Sequence, residues 1–204
     1  MYNSGQCCCG IERTYVHESL YDEFVERALA LISDYRLGNP LDADTTIGPM
    51  AHLRFADTVR RQTAEAVAAG ATAHIATMNA DDGGAYLTPQ LLTGVTHDME
   101  VMREESFGPV VGVMKVSGDD EAVALMNDSR YGLTASLWTP DVERAARVGD
   151  RVETGTVFLN RADYLDPGLC WTGVKDTGRG GGLSVIGYHN LTRPKSYHLK
   201  KVTS

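Results

Sequence analysis

The residues with the clearest chemical potential lie at the start of the chain, where Asn3-Ser4-Gly5-Gln6 runs into three consecutive cysteines, Cys7, Cys8 and Cys9. A thiolate is both a nucleophile and a soft metal ligand, so such a cluster raises covalent catalysis and metal binding together. Taken alone, three adjacent cysteines read most simply as small buried hydrophobes. No Cys-x-x-Cys pair is present, and the histidines at 17, 52, 74, 97, 189 and 198 show no ligand spacing, so no metal site is expected. A second candidate lies about a hundred residues on, in Glu104-Glu105-Ser106-Phe107-Gly108-Pro109. A carboxylate there has the acceptor capacity for two vicinal hydroxyls, although an acidic pair before a strand is usually a solvated turn.

The two segments together resemble the aldehyde dehydrogenase family, whose nucleophile lies in Gly-Gln-x-Cys and whose cofactor loop reads Glu-x-Phe-Gly-Pro. Three further segments extend the resemblance in the same order. They are Asn127-Asp128-Ser129-Arg130-Tyr131-Gly132-Leu133, Gly155-Thr156-Val157-Phe158-Leu159-Asn160, and Trp171-Thr172-Gly173-Val174-Lys175-Asp176-Thr177-Gly178-Arg179. The resemblance implies that Cys8 is the catalytic thiol. It would add to an aldehyde as a thiohemiacetal, whose carbon releases hydride to a nicotinamide and leaves a hydrolysable thioester. It also implies that Glu105 accepts from the nicotinamide ribose hydroxyls and that Phe107 packs near the nicotinamide of NAD or NADP. Trp171 and Thr172 replace the family's usual Phe and first Gly, which assigns Trp171 to the aldehyde pocket or to the core. The loop from Arg161 to Cys170 is expected to supply the rest of the substrate mouth, with Tyr164 and Leu165 as contributors and Arg161 as the candidate for a substrate carboxylate.

These groups need a scaffold, and the 204 residues suffice for one substantial domain. The hydrophobic fraction of 43% supplies a core, and the net charge of −8 argues against a duplex nucleic-acid partner. No apolar run approaches a membrane span, no signal-peptide pattern opens the chain, and the cysteine usage suits a reducing, cytoplasmic setting. Strand and helix patterns alternate, giving an α/β expectation with a mainly parallel open sheet covered by helices on both faces. Strands are predicted at 14–17, 72–76, 110–116, 133–138 and 156–159. Helices are predicted from Ser19, with Asp22 as a variant capping box, to the Gly38-Asn39-Pro40 stop, and at 50–69, 119–127 and 141–152. The first helix is expected to bury Leu20, Phe24, Ala28, Leu31 and Ile32. Gly178-Arg179-Gly180-Gly181-Gly182 fails the phosphate-loop pattern because Leu183 stands where a third glycine is needed, and it reads as a turn into a short helix.

The domain expectation is a thiol-bearing unit over residues 1–190 and a C-terminal oligomerisation strand within 191–204, where Lys195 to Lys201 alternates like an edge strand. The resemblance covers only the second half of family members. The dinucleotide-binding sheet, the general-base glutamate and the oxyanion asparagine of the family have no counterpart in these residues. Two readings follow. One is part of an NAD(P)-dependent aldehyde dehydrogenase, a homo-oligomer at full length that acts on a small aldehyde. The other is an inactive fragment serving as a binding or assembly module.

Overall fold

The computed structural model describes residues 1–202. A four-stranded sheet has the order β1-β4-β3-β2, formed by Arg13–His17, Val110–Val116, Gln90–Thr93 and Thr72–Ala73. The strands β1, β4 and β3 are parallel, and the short β2 runs antiparallel on the β3 edge. A second parallel pair joins β6 (Thr134–Leu137) to β7 (Thr156–Leu159). Two antiparallel pairs complete the strands: β5 (Tyr131–Gly132) with β9 (Val174–Lys175), and β8 (Trp171–Thr172) with β10 (Gly181–Gly182).

Neighbouring residues of the central strands serve opposite faces, as the pleat requires. Leu92, Val110 and Met114 pack on one side with Ala56, Val59 and Ala66 of helix α2 (Leu53–Ala68). Leu91, Val111 and Val113 pack on the other with Val25, Ala28, Leu29 and Ile32 of helix α1 (Tyr21–Ser33). A strand buried on both faces is apolar at nearly every step, which is why Val110–Val116 shows as a run that only Gly112 and the exposed Lys115 interrupt. Helices α3 (Asp119–Asn127) and α4 (Val142–Gly149) connect the later strands, and α5 (Ser184–Leu191) follows the glycine-rich turn. Among the described residues no helix is long and apolar enough to cross a membrane.

Several elements depart from expectation for identifiable reasons. Ser19 is not the cap of α1, because its Oγ is engaged with His17 Nδ1 at 2.8 Å and the N-cap is Leu20. The buried stripe of α1 is turned by one residue, so Leu20, Phe24 and Leu31 are exposed while Tyr21, Val25 and Leu29 pack inward. Tyr21 fixes that rotation by donating its hydroxyl to the Val113 C=O at 3.3 Å. The helix also ends at Ser33, well before Gly38. Helix α2 begins at Leu53 instead of Met50, with His52 Nδ1 accepting the Arg54 N–H. In α4, Asp141 is the cap, accepting the Arg144 N–H at 2.8 Å. The strand expected over 72–76 keeps only Thr72 and Ala73, and β3 was not anticipated. Residues 192–202 are exposed and pair with no strand among the described residues. Thr203 and Ser204 of the expected oligomerisation segment lie outside the described residues.

Candidate active site

The thiol segment is held in a tight turn, not a regular helix. Asn3 and Ser4 adopt left-handed conformations (φ 50° and 56°), followed by Gly5 at φ 74°. Only Gly can stand at position 5. A Cβ there would lie 2.0 Å from the Gly108 carbonyl oxygen, so the backbone of the thiol segment rests directly on that of the Glu105–Gly108 loop. Ser4 Oγ donates to the Gly48 C=O at 2.7 Å. Gln6 accepts from the Ala51 N–H at 2.7 Å and donates to the Pro49 C=O at 3.4 Å. Gln6 therefore ties the segment preceding the thiol to the chain entering α2.

The three thiols differ sharply. Cys8 is exposed, Cys7 half-buried and Cys9 buried. Cys9 donates to Asp163 Oδ2 at 3.0 Å, and its Sγ lies 3.4 Å from that of Cys7. Burial pushes the Cys9 thiol far above its ordinary range, and the hydrogen bonds to Asp163 and Cys7 raise it further. Burial and the bond to Asp163 make Cys9 the least accessible of the three thiols. The sulfur atoms of all three cysteines fall within 4.8 Å of one another, a gathering the sequence spacing did not suggest.

The two adjacent glutamates also separate. Glu104 is committed to an ion pair with Arg130, and the Tyr131 hydroxyl points to it at 3.5 Å. Glu105 is exposed and takes part in no ion pair or hydrogen bond among the described residues, leaving its carboxylate free as an acceptor. Phe107 is partly exposed beside it at φ 48°. Ser106 and Phe107 present their N–H groups to one carboxylate, that of Glu12, at 2.9 and 2.8 Å. Burial raises the Glu12 carboxyl above its usual range, against the downward pull of those two donors. Sequence reasoning passed over Glu12 and Asp163. A carboxylate four residues beyond the thiol looks like an ordinary surface residue until the fold brings the two loops together.

Tyr164 and Leu165 are exposed on the 161–170 loop, which reaches the thiol segment through Asp163. The Arg161 guanidinium stacks over the Tyr164 ring at 4.2 Å. Trp171 is half-buried in β8, where it lines an open cavity of about 340 Å³ with Leu133, Thr172 and Arg179. The later motif segments are knitted together by Lys175, whose Nζ donates to the Asn127 and Ser129 carbonyls at 2.7 and 3.0 Å and pairs with Glu153 at 2.6 Å. Their Lys and Asn are therefore structural fasteners of this end of the molecule.

The α/β scaffold thus packs the turn that precedes an exposed cysteine on a loop that carries a free carboxylate. The chain belongs to the aldehyde dehydrogenase family, whose model matches residues 1–197. It is 39% identical over 193 residues to a succinate-semialdehyde dehydrogenase (NADP+) of Deinococcus radiodurans, covering 95% of this chain and 40% of that protein. An aldehyde dehydrogenase of Paenarthrobacter nicotinovorans is 38% identical over 196 residues, covering 96% and 43%. The chain thus spans about two-fifths of the length of these relatives. Among solved structures, betaine aldehyde dehydrogenase from Staphylococcus aureus in complex with NAD+ superposes with a TM-score of 0.87 at 30% identity, covering 93% of this chain and 38% of that one. Lactaldehyde dehydrogenase from Escherichia coli gives 0.87 at 33%, covering 92% and 40%.

Proposed function

We propose that this chain supplies the nucleophile and part of the nicotinamide end of an enzyme that oxidises an aldehyde to a carboxylic acid with NAD or NADP. The observation that carries the reading is the contact between two loops: the exposed Cys8 thiol follows a turn packed on the loop that carries the unengaged Glu105. The Cys8 sulfur attacks the aldehyde carbon, its proton leaves to solvent or a base, and a thiohemiacetal forms. A nicotinamide cofactor held at Glu105 and Phe107 would supply the hydride acceptor that converts the thiohemiacetal to a thioester. Water then attacks the thioester, giving the carboxylic acid and returning the Cys8 thiol.

Glu105 and Phe107 fit such a cofactor. A free carboxylate matches two vicinal hydroxyl donors, and a partly exposed ring offers an apolar face to a planar heterocycle. Tyr164 and Leu165 form the aldehyde mouth in this reading, and Trp171 contributes to the aldehyde pocket. Arg161 gives that mouth a cation. A carboxylated aldehyde would meet it, succinate semialdehyde being the substrate named for the Deinococcus relative. Residues 1–190 act as the thiol-bearing unit, and 191–204 as the contact between copies.

The test uses the polypeptide that carries this chain at its native length. Cys8→Ala is expected to abolish formation of the reduced cofactor from aldehyde while NAD(P)+ still binds. Wild-type turnover in that variant would overturn the assignment of Cys8.

A further inference from the structure

Glu12 has no part in the reaction above, yet it is built into the site more firmly than any residue that does. It sits just ahead of β1, and its backbone C=O accepts the Gly112 N–H of β4 at 3.1 Å. Its side chain crosses to the loop before β4 and accepts two successive backbone N–H groups, Ser106 at 2.9 Å and Phe107 at 2.8 Å. A carboxylate partly withdrawn from water is tolerated where donors of this kind match both oxygens.

Gly108 and Pro109 fix the far end of the loop by packing, but the 106–107 step has no side-chain bond apart from the one to Glu12. The Ser106 hydroxyl is buried without a partner, and Phe107 is in the left-handed region that L side chains avoid. Glu104 is anchored on the other side by Arg130. Glu105 therefore hangs between two fastened points, one of which is Glu12.

We propose that Glu12 is a positioning residue that fixes Glu105 and Phe107 relative to Cys8, coupling the thiol segment to the cofactor loop. The inference rests on the assignment of Glu105 and Phe107 to the nicotinamide end made above. Its consequence is selective: loss of the clamp disturbs the cofactor and leaves the aldehyde and the intrinsic reactivity of Cys8 as they were.

Glu12→Gln keeps the volume but sets an NH2 group against one of the two N–H donors. Four quantities separate the possibilities: amide hydrogen exchange over residues 105–108, equilibrium binding of NAD+ and NADP+, the KM for aldehyde, and the rate at which iodoacetamide labels Cys8. Loss of a hydrogen bond to a half-buried carboxylate corresponds to about a tenfold effect. The expected result is about tenfold faster exchange confined to 105–108, with cofactor affinity and cofactor KM weakened by a similar factor. Aldehyde KM and Cys8 labelling should stay within about twofold. Glu12→Asp retains the charge at shorter reach and should fall between; it carries the same test if Glu12→Gln does not accumulate folded.

Unchanged exchange at 105–108 would refute the clamp itself. Faster exchange with unchanged cofactor binding would uphold the clamp and refute the assignment of Glu105 and Phe107, and the positioning role with it. Exchange accelerated evenly along the chain would mean a purely structural residue and overturn the proposal.

Discussion

Replacing Gly5 by Ala probes the contact between the two loops most severely. The new Cβ would sit 2.0 Å from the Gly108 oxygen and 2.3 Å from its carbonyl carbon, where ordinary contact begins near 3.4 Å. One backbone must therefore move by about 1.4 Å, and overpacking of that kind costs about 1–3 kcal/mol. The left-handed φ of 74° adds about 1–2 kcal/mol for an L residue. Against this stand the two short bonds that hold the thiol segment to the Gly48–Ala51 stretch, from Ser4 Oγ and to Gln6 Oε1, about 1 kcal/mol each. The strain exceeds the tether, so the segment should detach before the domain absorbs the clash. The loss of global stability is then capped at about 2–3 kcal/mol, while the thiols are set free. Gly70→Ala is the control. It has a similar positive φ of 106° but open space around it, so it should cost only about 1–2 kcal/mol and leave the thiols unaltered. The assay is urea unfolding paired with the rate of iodoacetamide labelling at each cysteine. Gly5→Ala should raise Cys9 labelling about tenfold or more and abolish aldehyde oxidation. Unaltered Cys9 labelling with a stability loss under about 1 kcal/mol would refute the reasoning.

Other expectations follow from the same geometry. In the wild type, alkylation should proceed in the order Cys8, Cys7, Cys9, read by peptide mass; Asp163→Asn should accelerate Cys9 only modestly, because burial outweighs the carboxylate in holding its proton. The Arg61 guanidinium, with Gln62 in support, holds the Glu100 carboxyl down to about 2 from an ordinary 4.5. The stability this contributes is present above about 4.5 and is lost as pH falls through about 2, so the urea-midpoint gap between wild type and Glu100→Gln should narrow over that interval and shrink in high salt. Arg161→Gln should raise the KM for a carboxylated aldehyde about tenfold and leave that for a neutral aldehyde unchanged; an equal effect on both would remove Arg161 from substrate recognition.

Much of the scaffold shows in the sequence wherever one physical requirement dominates. The Val110–Val116 run, apolar but for Gly112 and Lys115, reads as a buried strand, and Asp119–Asn127 begins with three acids at a helix N-terminus. Helix α1 packs Ala28 and Ile32 as expected, but Tyr21, Val25 and Leu29 take the place of Leu20, Phe24 and Leu31, and both sets are apolar at helical spacing. Only the tertiary bond from Tyr21 to Val113 distinguishes them. Strand β3 is four residues long after Pro89, too short for its period to register.

At the candidate site, Cys8 and Glu105 are singled out by the sequence because their flanking residues are distinctive. The distinction between Glu105 and Glu104 became physical only when Arg130, 26 residues from Glu104, was seen to engage the latter. Glu12 and Asp163 were illegible for the same reason. Each acts across a separation of more than 90 residues, on partners that local pattern cannot name.

The most direct test of the central claim is to trap the acyl intermediate. The polypeptide carrying this chain is mixed with aldehyde and NAD(P)+, quenched in acid within a turnover, digested and mapped by mass. The account predicts a thioester adduct on the peptide spanning Cys7 to Cys9, localised to Cys8 and absent from Cys8→Ala. An adduct on Cys7 or Cys9, or reduced cofactor formed by Cys8→Ala with no adduct, would contradict it.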